Sequence, residues 1–210
     1  MVRKYKYFPM VISAPSGGGK TVVRSGLLDL DKRFAFSVTC TTRPMRPGEK
    51  EGRDYFFVTT EQFLKMRREG KLLEWARVHG NYYGTPVKSV MSVLEQGRIP
   101  VMTIDVKGAR SVKRIFPEAV TVFLLPPDLK TLVQRLKGRG EKPENVAIRL
   151  ETARSEIQVA SKFDYLVIND KLPEAVREVA AIADLETRKT RRNLDKVKAF
   201  GEQLGRRRPR

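Results

Sequence analysis

The chain has 210 residues, 40% hydrophobic and 31% charged, which suits one α/β domain with small insertions, or two small domains, around a real core. Its one cysteine, Cys40, excludes an internal disulfide and a cysteine-based metal cluster, and it fits a reducing cytoplasm. A formal charge of +18 points to anionic partners: phosphate-rich ligands explain part of it, and nucleic acid is the other class to weigh.

No run is long and apolar enough to span a bilayer. Arg3, Lys4 and Lys6 ahead of an apolar run mimic a secretion signal. Pro9 breaks that run, and cleavage there would destroy the loop that follows, so export is not expected. Phe8 to Ser13 reads as the first strand. It leads into Ala14-Pro15-Ser16-Gly17-Gly18-Gly19-Lys20-Thr21, the layout of a phosphate-binding loop at the head of a helix, Thr21 to Leu30. Glycines let successive backbone N–H groups point at one anion, and the helix adds its positive end. Lys20 is placed to neutralise the outer phosphates and the Thr21 hydroxyl to ligate magnesium. The usual pattern opens on Gly where this chain has Ala14. These eight residues are the candidate nucleoside triphosphate site.

Phe34 to Thr39 reads as a second strand. Arg43 to Arg53 is a charged Pro-Gly-rich surface loop. Tyr55 to Val58 is a short strand, and Thr59 or Thr60 caps a helix running to about Glu69. Leu72 to Val78 and Tyr82-Tyr83 are further short strands. Pro86 opens a helix that Gly97 ends. Ile99 to Ile104 and Ala119 to Leu125 are buried-type strands. Asp128 to Lys137 is helical, Gly138-Arg139-Gly140 breaks the chain, and helix resumes from Glu144 to Ala160. Tyr165 to Ile168 is the last strand, and Pro173 opens a helix continuing toward the tail. Strands alternating with helices predict a mainly parallel sheet covered on both faces, with a separate β-rich piece between about residues 35 and 85. From Glu186 onward ten Lys or Arg face three Asp or Glu, so +7 lies in the tail and +11 in the body. There Leu194, Val197, Phe200 and Leu204 have rough helical spacing.

Several short pieces gain weight together. They are Thr41-Thr42-Arg43-Pro44-Met45-Arg46-Pro47-Gly48-Glu49, Gly52-Arg53-Asp54-Tyr55, Leu73-Glu74-Trp75-Ala76 and Gly80-Asn81-Tyr82-Tyr83-Gly84-Thr85. Arg135-Leu136-Lys137-Gly138-Arg139-Gly140 and Val167-Ile168-Asn169-Asp170 complete the set. From about Met10 to Asp170 the chain resembles guanylate kinase, a nucleoside-monophosphate kinase family. The resemblance implies a phosphate-loop kinase core with a five-stranded, mainly parallel sheet, a β-rich GMP-binding insertion and a helical lid. It divides the chain into core (1–33, 89–137 and 151–190), GMP-binding region (34–88), lid (138–150) and basic tail (191–210).

It also implies roles. Arg43, Arg46, Tyr55 and Tyr83 match positions that hold the GMP phosphate, a task that suits arginine forks and phenol donors. Glu74 matches the carboxylate that reads guanine, whose N1–H and 2-amino groups lie on one edge. Adenine would leave that charge poorly paired. Thr39 and Thr85 match hydroxyls at the base. Arg135, Arg139 and Arg149 match arginines that neutralise the transferring phosphoryl group, and Asn169 matches an adenine-side contact for ATP. Asp105, ending a strand, suits a carboxylate near magnesium through water, and belongs to the acceptor side. Thr103 stands where the family usually has an acid, and Lys107 where it usually has Gln. His79 and Cys40 read as structural.

The implied activity is phosphoryl transfer from ATP to GMP with magnesium, dGMP being left open. Two other readings stay beside it. One is a non-catalytic binding module of guanylate kinase type, disfavoured by the intact Gly19-Lys20-Thr21 and the absence of attached interaction domains. The other is nucleic-acid association through the tail. Oligomeric state has no sequence signal, and no membrane partner is expected.

Overall fold

The computed structural model describes residues 5–78, 80–138 and 143–206. Five parallel strands form the central sheet. They are β1 (Met10–Ser13), β2 (Phe34–Phe36), β7 (Ile99–Thr103), β8 (Val120–Leu125) and β9 (Tyr165–Ile168), in the order β2-β7-β1-β8-β9. β1 is buried at every position because it is central and covered on both faces. Met10 and Ile12 belong to one apolar layer and Val11 to the other, the alternation that a strand's period of two dictates. The first layer lies against α1 (Lys20–Leu30) and α7 (Leu172–Arg188), the second against α3 (Val87–Glu95) and α4 (Val106–Ile115). The α/β class and the five-stranded parallel sheet are those expected from sequence.

The β-rich insertion is a second sheet of four strands, β4-β3-β6-β5. It contains β3 (Thr39–Thr41), β4 (Tyr55–Phe57), β5 (Leu72–Val78) and β6 (Asn81–Pro86). β5 and β6 form the antiparallel arm and β3 pairs with β4 in parallel. Its core is Cys40, Phe63 and Leu72, with Phe63 supplied by α2 (Thr60–Arg68). Thr59 is the cap of α2: its hydroxyl accepts from the Gln62 N–H while the Gln62 side chain accepts from the Thr59 N–H. Cys40 is fully buried, its Sγ donates to the Gly84 carbonyl, and burial pushes its thiol up to about 12, as suits a core residue.

Two sequence expectations are corrected, and one helix is added where none was assigned. Phe34 to Thr39 is two strands: Phe34–Phe36 pairs with β7 in the central sheet, and Thr39–Thr41 joins the insertion. The chain changes sheets between them. The stretch after Asp105 is helix α4, although Gly108 and four Lys or Arg obscure its apolar face. Only Gly108, Ala109 and Val112 are buried, and the Asp105 carboxylate caps the helix by accepting from the Gly108 N–H at 2.7 Å. The last helix does not run unbroken into the tail. α7 ends at Arg188, a single 3₁₀ turn spans Thr190–Arg192, and α8 (Leu194–Arg206) starts anew.

The break after α7 has a physical cause. Asn193 Nδ2 donates to the carbonyls of Thr187 and Lys189, satisfying groups that helix termination exposes. Glu186 is buried and gathers the turn around it: Tyr165 donates at 2.7 Å, Lys189 at 2.5 Å and Arg192 at 3.3 Å. The Arg192 guanidinium in turn lies 4.2 Å over the Phe8 ring. On α8, Leu194, Val197, Phe200 and Leu204 are all exposed, so the tail's apolar stripe faces away from the core. Two other helices, α5 (Leu129–Lys137) and α6 (Pro143–Ile157), pack on each other through Leu132, Leu136, Val146 and Ala153.

Burial alone would raise the Glu186 carboxyl, but hydrogen bonds from Lys189, Tyr165 and Arg192 outweigh it and hold the group below the ordinary glutamate range. A folded pKa below the unfolded one gives stability that is present above the unfolded value and lost as pH falls through the folded value. Glu186→Ala would leave the buried Arg192 guanidinium with the exposed Glu118 carboxylate in place of a buried partner, and would take the acceptor from Tyr165 and Lys189. It is expected to lower the unfolding free energy by about 3 kcal/mol at pH 7 in urea titrations, a difference that narrows below about pH 4.

Candidate functional site

The C-terminal ends of the parallel strands converge on one edge, where open α/β sheets bind ligands. β1 delivers the loop from Ala14 to Gly19, β7 delivers Thr103 and Asp105, and β9 delivers Asn169. Gly19 adopts φ 95° just before α1. A Cβ there would stand 2.2 Å from Asn169 Nδ2, so both the left-handed backbone and the close approach require glycine. Asn169 is buried and its Nδ2 donates to the Gly18 carbonyl at 2.9 Å, pinning the loop from the end of β9. Gly18 N–H donates to the Pro15 carbonyl at 2.8 Å, closing the turn.

The loop's cations and hydroxyls are held in place. Lys20 Nζ donates to the Ala14 carbonyl at 2.7 Å, folding the side chain back over the loop. Arg149 on α6 donates to Ser16 Oγ at 2.9 Å, so the lid region reaches the loop directly. Arg135 on α5 donates to the Asn169 carbonyl at 2.8 Å, while its second terminal nitrogen, Nη1, is buried with no hydrogen-bond partner among the described residues. Arg139 lies outside the described residues, as does His79. Sequence reasoning missed Glu156 on α6, whose carboxylate accepts from the Ser16 N–H at 3.1 Å. It places an anion against an N–H of the phosphate loop. Burial raises its pKa, with Lys20 and the Ser16 N–H opposing.

Beside the loop lies a cavity of about 400 Å³ between the central sheet and the insertion. Its wall includes Thr21, Thr39, Tyr55, Glu74, Tyr83, Thr103 and Asp105, joining residues far apart in sequence. Glu74 and Thr85 are directly opposed on β5 and β6, and the Thr85 hydroxyl donates to Glu74 Oε1 at 2.5 Å. Behind them Gly108 fits because it lacks a side chain: a Cβ would come within 3.2 Å of Glu74 Oε2. Burial, and the nearby Asp105 charge, raise the Glu74 carboxyl above its ordinary range, against the Thr85 hydrogen bond. Tyr55 and Tyr83 meet edge to face at 6.0 Å.

The two loop arginines differ. Arg43 is largely covered, its Nη2 pairs with Glu49 at 2.7 Å, and its guanidinium lies 5.4 Å from the Tyr55 ring centre. Glu49 lines the cavity, so Arg43 stands one residue behind the wall. Arg46 is exposed, and only its backbone N–H is tied down, to Glu49 Oε2 at 2.8 Å. Lys107 does not reach this cavity. It lines a separate one of about 320 Å³ with Arg110, Lys113 and Phe163. The departure from family pattern that bears on this site is therefore Thr103.

For magnesium, the site offers hard oxygen donors. The Thr21 hydroxyl and the exposed Asp105 carboxylate both face the cavity, and Asp105 Oδ1 is taken by its own helix cap. That donor set fits a cation that keeps most of its water.

The family model for guanylate kinase matches residues 6–186. The chain belongs to the guanylate kinase family. It is 45% identical over 191 residues to the guanylate kinase of Thermotoga maritima, covering 90% of this chain and 92% of that one. It is 46% identical over 178 residues to that of Lactococcus lactis, covering 84% and 87%. The crystal structure of guanylate kinase from Anaplasma phagocytophilum superposes with a TM-score of 0.71 at 32% identity, covering 90% of each chain.

The raised Glu74 pKa makes a stability prediction. Between the ordinary and the raised pKa the folded state keeps a proton that the unfolded chain has lost, so stability falls as pH rises through that window. Above it the ionised, buried carboxylate is a net cost. Glu74→Gln is expected to be more stable than the parent at pH 8 and to lose that advantage near pH 4, read by thermal unfolding. A variant less stable at pH 8 would contradict the burial argument.

Proposed function

We propose that this protein catalyses transfer of the γ-phosphoryl group of ATP to GMP, giving ADP and GDP, in cytoplasmic purine nucleotide metabolism. The observation that carries the reading is Glu74. It is a buried carboxylate, oriented by Thr85, on the wall of a cavity whose far side is Thr21 at the phosphate loop. A fixed, desolvated carboxylate accepts the N1–H and 2-amino groups of guanine together, and no other common base presents both on that edge. Thr39 lies on the same wall, with a hydroxyl suited to guanine O6.

The GMP phosphate then lies toward Tyr55 and Tyr83, with Arg43 behind them. ATP lies over the loop from Ala14 to Thr21, its adenine side near Asn169. An oxygen of the GMP phosphate attacks the γ-phosphorus, a new P–O bond forms, and the bond to the β-phosphate oxygen breaks, leaving its electron pair on ADP. The nucleophile is already anionic at neutral pH, so no general base is needed and the chain supplies position and charge. Lys20, Arg135, Arg139 and Arg149 offset negative charge on the moving phosphoryl group. Arg46 swings in from the loop when the acceptor binds. Magnesium, held through the Thr21 hydroxyl and through water by Asp105, supplies further charge neutralisation to the triphosphate. Closure of α6 and its approach over the loop excludes water that would hydrolyse ATP.

The test is ADP formation from ATP and magnesium with GMP, dGMP, AMP, CMP and UMP in turn. Turnover is expected with GMP and not with AMP or the pyrimidine nucleotides. Glu74→Gln is expected to lower kcat/KM for GMP about 10- to 100-fold, the worth of a charge-assisted hydrogen bond, with KM for ATP unchanged. Unaltered GMP kinetics in that variant would remove Glu74 from guanine recognition.

A further inference from the structure

One cation on the acceptor cavity belongs to none of the motifs. Arg24 sits on α1 three residues after Thr21, so both occupy one helix face, and both line the cavity with Tyr55 and Glu74. Its guanidinium lies over the Phe36 ring, 4.2 Å from the centre, a contact that helps to hold it in place. Its Nε is buried and has no hydrogen-bond partner among the described residues.

The nearest acid does not resolve this. Asp54 also lines the cavity, but its Oδ2 already accepts from the Lys50 N–H at 2.8 Å and pairs with Arg53 at 2.8 Å. Burial lowers the Arg24 pKa, and the charges of Tyr55 and Asp54 only partly offset it. A buried guanidinium with an unused N–H is costly, and it becomes favourable when an anion with several acceptor oxygens arrives. Its place between Thr21 and Tyr55 is where the two nucleotides meet.

We infer that Arg24 is a phosphate-binding residue of the acceptor half, donating from its guanidinium to the GMP phosphate on the side that faces the phosphate loop. The inference rests on the guanylate kinase reading of the cavity. It assigns Arg24 a role that Arg43 does not fill from behind the wall. Arg24 holds the acceptor phosphate from the helix side, while the tyrosines hold it from the insertion side. The helix that carries Thr21 therefore also positions the nucleophile.

The experiment compares GMP with guanosine, which lacks the phosphate, by calorimetry on the parent protein, Arg24→Met and Arg24→Lys. Methionine keeps the apolar contact with Phe36 and removes the charge, and lysine keeps the charge without the fork. Arg24→Met is expected to weaken GMP binding about 10- to 100-fold, with guanosine and ATP affinities unchanged. Arg24→Lys should recover part of that loss. In turnover, KM for GMP should rise while KM for ATP holds. Two results would overturn the inference: GMP and guanosine weakened equally, as a merely structural residue would give, or ATP weakened with the GMP-to-guanosine ratio intact. A parent protein that makes no GDP would instead count against the guanylate kinase reading, so the two failures are told apart.

Discussion

The site depends on one side chain fixing the backbone of another segment. Asn169, at the end of β9, donates to the Gly18 carbonyl and fills the space that any side chain at position 19 would need. That bond ties the loop after β1 to a strand that is not its neighbour in the sheet, since β8 lies between them. The loop is therefore shaped before any anion reaches it, and little ordering is left for the moment of binding. Arg135 continues the chain of contacts by donating to the Asn169 carbonyl, so α5 is registered against the same point. The position of α6 follows from its packing on α5 and from Arg149 and Glu156, which both meet Ser16.

Charge is arranged in the same economy. The molecule carries a large positive excess, yet in the cavity and around the phosphate loop cations and acids lie near each other: Arg24 near Asp54, Arg43 on Glu49, Lys20 with Glu156 close by. Glu49 holds the Arg43 guanidinium by a direct ion pair, whereas Asp54 is taken by Lys50 and Arg53. Thr103 contributes no charge, which leaves Asp105 as the carboxylate that follows β7. The excess positive charge outside the site lies partly on the tail, where α8 presents basic residues beside an uncovered apolar stripe.

Much of this was legible in the sequence, for identifiable reasons. The phosphate loop, the parallel sheet and the pieces around Arg43, Glu74 and Tyr83 are read from local spacing. Thr85 was recognisable by motif, and its pairing with Glu74 follows once β5 and β6 are seen to be adjacent and antiparallel. What escaped depends on long-range packing. α4 was hidden because three small or apolar residues bury it among many cations. The split of Phe34 to Thr39 was hidden because both halves are β-type and only the partners differ. Glu156 meets Ser16 across 140 residues, a contact no local pattern signals. Arg24 had a local signal, its spacing from Thr21, but its burial against Phe36 appears only in three dimensions.

Gly108 carries a consequence for the two carboxylates beside it. The first turn of α4 passes so close to Glu74 that a single methyl group there would press on its Oε2, and the same turn is capped by Asp105. The Glu74 carboxylate on the cavity wall and the Asp105 carboxylate that caps α4 thus meet the same helix turn. A residue larger than glycine at 108 would press on Glu74 and Asp105 together, because one helix turn sets the distance to both carboxylates.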